Sequence, residues 1–157
     1  MQLYTVAEWR MSQREFLRFI PLVLGTAIPA NFFGGRLVRL MGLLPFTLTA
    51  TASHMLFWIG VCISRRAATV GALIGCLGGA RTLAAAPMFQ AEGAAVGMPQ
   101  GQLSGDRASL FAILKVVGPQ LFGRLFLVGQ KMGQPAAPFM LNVVLMAMAM
   151  VLAQLAL

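Results

Sequence analysis

Three ionisable side chains lie inside long apolar stretches of this sequence, where a polar group is costly and usually functional. Arg81 is near the middle of residues 67–90, Lys115 is about halfway along 104–129, and His54 is within 43–64. In a bilayer interior an exposed charge costs at least about 2.5 kcal/mol. We therefore expect Arg81 and Lys115 to face protein or water. There they could attract an anionic or polarisable solute group, or they could be neutralised by backbone carbonyls or by a carboxylate.

His54 shares a helix face with Thr47 and Thr51, because the three residues stand at positions i, i+4 and i+7. A histidine on such a polar stripe could relay protons across a membrane. A histidine beside threonines also occurs as an ordinary packing residue. Both interpretations of His54 stay open at the level of sequence.

The composition indicates that these residues belong to helices in a lipid bilayer. Of 157 residues 59% are hydrophobic and 10% are charged, with a mean hydropathy of +0.81, far from the average of soluble proteins. Apolar runs predict five transmembrane helices, at about 16–35, 43–64, 67–90, 104–129 and 136–157. The predicted fold class is all-α, a polytopic membrane helix bundle that forms one partial domain over 1–157. We expect an integral, multi-pass protein whose first partner is the lipid bilayer.

The charges and cysteines exclude several other classes of function. The net charge of +8 comes from basic residues that stand singly or in pairs at the ends of apolar runs, so nucleic-acid binding is not expected. Cys62 and Cys76 lie inside apolar runs and indicate neither a disulfide framework nor a metal site. The four acids stand in loops or at helix ends, without a catalytic motif. We expect neither an enzyme nor a cofactor.

Small residues recur at spacing four in two of the predicted spans. The positions are Gly71, Gly75 and Gly79 in the third span, and Gly101, Gly105 and Ser109 at the start of the fourth. Such a ridge lets another helix approach closely, so helix packing is its expected role.

The segment 101–122, GQLSGDRASLFAILKVVGPQLF, resembles the start of the eleventh helix of major facilitator superfamily transporters. The likeness is greatest to the drug/proton antiporter and tetracycline-efflux-like branch, and the matching positions are Gly101, Leu103, Gly105, Ser109, Gly118 and Pro119. The third span and the short turn before it are similar to the ninth and tenth helices of that branch. Gly35 and Gly42 keep the spacing of a family loop, but Arg39 stands where that loop has an acid.

This resemblance implies a partial major facilitator fold covering about the eighth to the twelfth of twelve helices. It also implies a secondary active transporter of a small solute, of the drug or organic-ion type, which proton exchange could drive. The implied cavity-lining residues are Asn31, Arg81, Lys115, Gly118 and Pro119. Because the N-terminal half of such a carrier is missing, we expect the chain to be inactive unless that half or another helical chain joins it.

The resemblance and the distribution of basic residues predict opposite orientations. The resemblance would place Arg36, Arg39 and Arg107 in the cytoplasm. The positive-inside rule favours the other end, which carries Arg10, Arg14, Arg18, Arg65, Arg66 and Lys131. A non-transporting scaffold or assembly protein is the alternative function, with the glycine ridges binding other helices and with Arg81 and Lys115 as assembly contacts.

Overall fold

The computed structural model describes Tyr4 and residues 8–155. Within that part of the chain the structure consists of helices joined by short turns: α1 (Gln13–Met41), α2 (Leu43–Ile63), α3 (Arg65–Ile74), a 3₁₀ segment (Gly75–Arg81), α4 (Thr82–Ala95), α5 (Gln100–Lys131) and α6 (Ala137–Leu155). The elements α3, the 3₁₀ segment and α4 follow one another without a break and form one helical stretch, Arg65–Ala95. With these three counted as one, five helical stretches of the described residues are long and apolar enough to cross a membrane. The predicted all-α fold class is confirmed.

Helix α1 begins at a capping box and ends at a glycine. The Glu15 backbone N–H donates to Ser12 Oγ at 3.3 Å, and the Ser12 N–H donates to Glu15 Oε2 at 2.9 Å. The helix then continues to Met41, past residue 35 where the first span was predicted to end, and stops at Gly42, whose φ of +86° favours glycine. Gly34 is buried where α1 meets Ala80 and Leu83, so it serves a helix contact instead of a turn.

Small residues bring α2 and the third span close together after a turn at Ser64. The Ala67 N–H donates to Ser64 Oγ at 3.2 Å, which caps α3. A Cβ placed on Gly71 would lie 3.0 Å from the Phe57 Cα, and one on Gly75 would lie 2.9 Å from the Phe57 Cβ. These two glycines therefore allow an approach that a larger residue would prevent.

The 3₁₀ segment changes which glycine faces α2. A 3₁₀ helix has about three residues per turn, so its side chains follow a different spiral from those of the α-helix before it. Gly78 faces His54 on α2, whereas Gly79 faces Ala27 on α1. The spacing of four had placed Gly79 in the same ridge as Gly71 and Gly75. The observed ridge toward α2 is Gly71, Gly75 and Gly78.

The connection between α4 and α5 is shorter than the gap between the predicted spans 67–90 and 104–129. Gly97 has a φ of +79°, the Met98 N–H donates to the Gly93 carbonyl at 2.9 Å, and the Gly97 N–H donates to the Ala94 carbonyl at 3.0 Å. These two bonds form a Schellman cap, which lets the helix run to Ala95 before it turns. Helix α5 starts directly after Pro99.

Helix α5 meets the rest of the described structure mainly at its two ends. Leu103 packs on Gly93 near the start, and Gly129 packs beside Gln134 and Ala137 near the finish. Almost all the residues between 104 and 121 are exposed. A Cβ on Gly101, Gly105 or Gly118 would meet no atom within 4 Å. The two glycines of the second ridge thus have no other described element beside them.

An aromatic cluster closes the end of the bundle where α2 finishes and α6 begins. Trp58 stacks on Phe139 with ring centroids 5.4 Å apart, and Tyr4 lies 4.8 Å from the same ring. The Tyr4 hydroxyl donates to the Val61 carbonyl at 3.3 Å. Tyr4 and Trp9, which precede α1, are thereby fixed to the bundle.

Candidate functional site: a polar cleft at Arg81

A cleft of about 310 Å³ lies between α2, the junction of the 3₁₀ segment with α4, and α6. Its polar lining consists of Thr47, Thr51, Arg81, Thr82 and Asn142, and its apolar lining consists of Ala85, Leu145, Met146 and Ala149. Each of the three walls therefore contributes at least one polar side chain. We call this site the polar cleft.

Arg81 lies at mid-depth in its helical stretch and is partly buried. It is 16 positions from the start and 14 from the end of Arg65–Ala95. It is also the last residue of the 3₁₀ segment, so the tighter winding before it sets the direction in which its side chain leaves the helix. If these helices cross a bilayer, the guanidinium lies far from either aqueous surface.

The threonines present oxygen lone pairs to the cleft, because their protons are used within α2. The Thr47 hydroxyl donates to the Leu43 carbonyl at 2.8 Å, and the Thr51 hydroxyl donates to the Thr47 carbonyl at 2.7 Å. Arg81 and Asn142, in contrast, have N–H groups that make no side-chain hydrogen bond within the described residues. A guanidinium offers five such donors and an amide two. The cleft is therefore rich in free donors.

No aspartate or glutamate side chain pairs with Arg81. All four acids lie among the described residues, and the ion pair found there joins Arg65 Nη1 to Glu15 Oε1 at 3.2 Å at the end of the bundle. A cation at mid-depth without a counter-ion is costly in a bilayer. An anion that entered the cleft would supply the missing charge.

No protein family, curated protein or solved structure matches this chain.

The residues proposed from sequence to share one cavity lie in different places. Arg81 lines the polar cleft, whereas Lys115 is exposed on α5 and is not among the residues that line it. Pro119 lines a separate cleft of about 240 Å³ beside Tyr4 and Phe126. Gly118 directly precedes Pro119 in the sequence. Asn31 is exposed on α1, near Gly79. The structure thus does not bring the two mid-helix cations together.

His54 also lies outside the polar cleft. Its ring stacks on Phe57 with centroids 5.9 Å apart and meets Trp58 edge-on at 5.8 Å. Its Cβ occupies the space that a side chain at position 78 would need, which is why glycine fits there. His54 thus packs against aromatic rings and against Gly78 of the neighbouring helical stretch.

Thr82 and Asn142 complete the site and were not among the residues proposed for it. Asn142 is the main polar residue of an otherwise uncharged final span, which is a usable signal in the sequence. Thr82 follows Arg81 directly, but its place in the cleft depends on the change from 3₁₀ to α winding, which spacing alone does not reveal.

Proposed function

We propose that this chain is part of a secondary active membrane carrier and that the polar cleft binds the anionic group of a small solute. The observation that supports this most strongly is the partly buried Arg81, which lies at mid-depth and pairs with none of the four acidic side chains. Such an intramembrane cation is typical of solute and ion pathways. The resemblance to major facilitator carriers gives independent support.

The chemistry of the cleft favours a carboxylate or a phosphate attached to an apolar body. A guanidinium binds either group through two parallel hydrogen bonds, and the Asn142 amide and Thr82 hydroxyl could add further ones. Leu145 and Met146 offer an apolar wall for the rest of the solute. The volume of about 310 Å³ is at the lower end of known small-ligand sites.

Transport by such a site would require further helices. Alternating access depends on two groups of helices that move against each other around a central site. The described helices form one group, and the middle of α5 is left exposed. We therefore propose that the chain binds solute by itself but carries it only together with additional membrane helices.

Ligand-induced stabilisation of the chain in nanodiscs tests the binding proposal. Benzoate, benzamide and benzylammonium share an apolar ring and differ in charge. Because a ligand that binds the folded state stabilises it, benzoate at millimolar concentration should raise the unfolding temperature followed by tryptophan fluorescence. The effect should be lost in Arg81→Gln, while benzamide and benzylammonium should have little effect on the parent chain.

Arg124→Gln is the matched control, because Arg124 is an exposed arginine on α5 away from the cleft. It should keep the response to benzoate. Equal stabilisation by benzylammonium, or a benzoate effect that survives in Arg81→Gln, would show that the cleft is not an anion site.

A further inference from the structure

Lys115 lies inside the apolar part of α5, in a stretch of the helix that is almost entirely exposed. It is exposed, and so are Leu114 and Val116 beside it, at 53% and 65%. Arg107, the last charge before it on the same helix, is eight residues away. At 1.5 Å per residue this places Lys115 about 12 Å further along the helix.

A lysine at that depth needs a partner. An ammonium group left in hydrocarbon costs at least about 2.5 kcal/mol, and a lysine well inside a span cannot reach the interface as easily as Lys131 can from the end of the helix. The four acids of the chain lie at residues 8, 15, 92 and 106, in turns or toward helix ends. None of them pairs with Lys115 in the structure, since the ion pair of the described residues is Arg65–Glu15.

The face of α5 around Lys115 has the shape of a helix-packing surface. Its residues follow one another at spacings of four and three, and four of the six are glycine or alanine: Gly101, Gly105, Ala108, Ala112, Lys115 and Pro119. All six are exposed, and the space next to the glycines is open. This Lys115 face could therefore accept a helix at short distance, with the ammonium group opposite the middle of that helix.

We propose that the Lys115 face binds a transmembrane helix of another polypeptide that carries a glutamate or aspartate at the depth of Lys115. Charge complementarity selects this partner. A second copy of the chain would bring another lysine to the contact, because its own acids stand away from that depth. The proposal is independent of the polar cleft, so it does not depend on whether Arg81 binds an anion.

Association with a designed helix in lipid vesicles tests the charge requirement. The probe is a leucine-rich transmembrane peptide with a stripe of glycine and alanine and one central glutamate. Its twin has glutamine at that position. Fluorescence energy transfer from labelled peptide to the full chain should show at least about fivefold tighter association for the glutamate peptide, the size expected of a polar contact between membrane helices.

That preference should disappear in Lys115→Gln and remain in Lys131→Gln, which removes a lysine from the end of the same helix. Gly105→Ile should weaken both peptides, because it blocks close approach. Circular dichroism of each variant separates loss of binding from loss of folding. Equal binding of the two peptides to the parent chain, or a glutamate preference that persists in Lys115→Gln, would overturn the proposal. Self-association of the chain through this face would also overturn the proposal if Lys115→Gln did not strengthen it, because two facing lysines should disfavour that contact.

Discussion

Arg81 and Lys115 are both cations inside helices that could cross a membrane, and the structure gives them different surroundings. Arg81 is partly buried beside Thr82 and Asn142 in a cleft between helices of the same chain. Lys115 is exposed on α5, with exposed apolar residues on each side. The two cations therefore have two separate roles in our proposals, one toward a solute and one toward another helix.

Replacing Asn142 by leucine tests whether its amide takes part in the polar cleft. The amide makes no side-chain hydrogen bond within the described residues, so the change should leave the stability of the free chain nearly unaffected. It should weaken binding of benzoate by about 1 kcal/mol, the usual contribution of one hydrogen bond. Titration of the unfolding temperature with benzoate measures both quantities. Gln154→Leu removes an amide from an exposed position of α6 and should change neither the stability of the free chain nor the binding of benzoate. A similar loss of benzoate binding in both variants would argue against a role for Asn142.

Tyr4 makes the docking of the N-terminal segment sensitive to high pH. Burial raises the pKa of its phenol above the ordinary value of 10.0. The Tyr4 phenol therefore loses its proton at a lower pH when it is undocked than when it is docked. Docking is thus fully stable below pH 10 and is lost as the pH rises through the higher pKa of the docked phenol. Fluorescence of Trp9, whose ring lies 5.8 Å from that of Tyr4, reports the docking.

Tyr4→Phe keeps the aromatic packing, loses the hydrogen bond to Val61 and should remove this dependence on pH. The docking free energy should fall by about 1 kcal/mol at neutral pH because of the lost bond. A phenylalanine variant that undocks over the same alkaline range would assign the effect to another group.

At the scale of helices, apolar length predicted five stretches, and Gly71 and Gly75 predicted a close contact of the third span. Gly101 and Gly105 were expected to pack as well, but no other described element lies beside them. The ends of the helices were harder to predict, because Gly34 and Gly35 continue α1 while Gly42 ends it. A glycine can serve a turn or a close contact, and only the neighbouring helix decides between them. The separation of Lys115 from Arg81 was equally hidden, since it depends on α5 resting on the bundle mainly by its ends.

Gly75→Leu should destabilise the packing of α2 against the third span. A Cβ at this position would lie 2.9 Å from the Phe57 Cβ and 3.1 Å from the Ser53 carbonyl oxygen, so the helices would have to move apart. Overpacking of this kind typically costs about 1–3 kcal/mol. Unfolding in mixed detergent micelles measures the loss. Gly25→Leu is the control, because its Cβ meets no atom within 4 Å and leucine favours a helix. Comparable losses in the two variants would contradict the observed helix contact.

For the whole molecule, the arrangement of the helices separates the basic residues into two unequal groups. One end carries Arg10, Arg14, Arg18, Arg65, Arg66 and Lys131, and the other carries Arg36, Arg39 and Arg107. The end with six basic residues also holds Tyr4, Trp9 and Trp58, the residue types that favour a membrane interface. The contact between Arg65 and Glu15 lies at this same end.

The orientation of the chain in a membrane should follow this charge difference when the chain is produced by itself. The positive-inside rule places the six-residue end in the cytoplasm, because basic segments beside a span resist translocation. Gln13→Cys and Gln100→Cys mark the two ends at matched, exposed glutamines, in a background where Cys62 and Cys76 are replaced by serine. In intact cells a membrane-impermeant maleimide should label the cysteine at position 100 and leave the one at position 13 unlabelled until the membrane is opened. The reverse pattern would favour the orientation implied by the major facilitator resemblance, and it would mean that elements outside the described helices direct insertion.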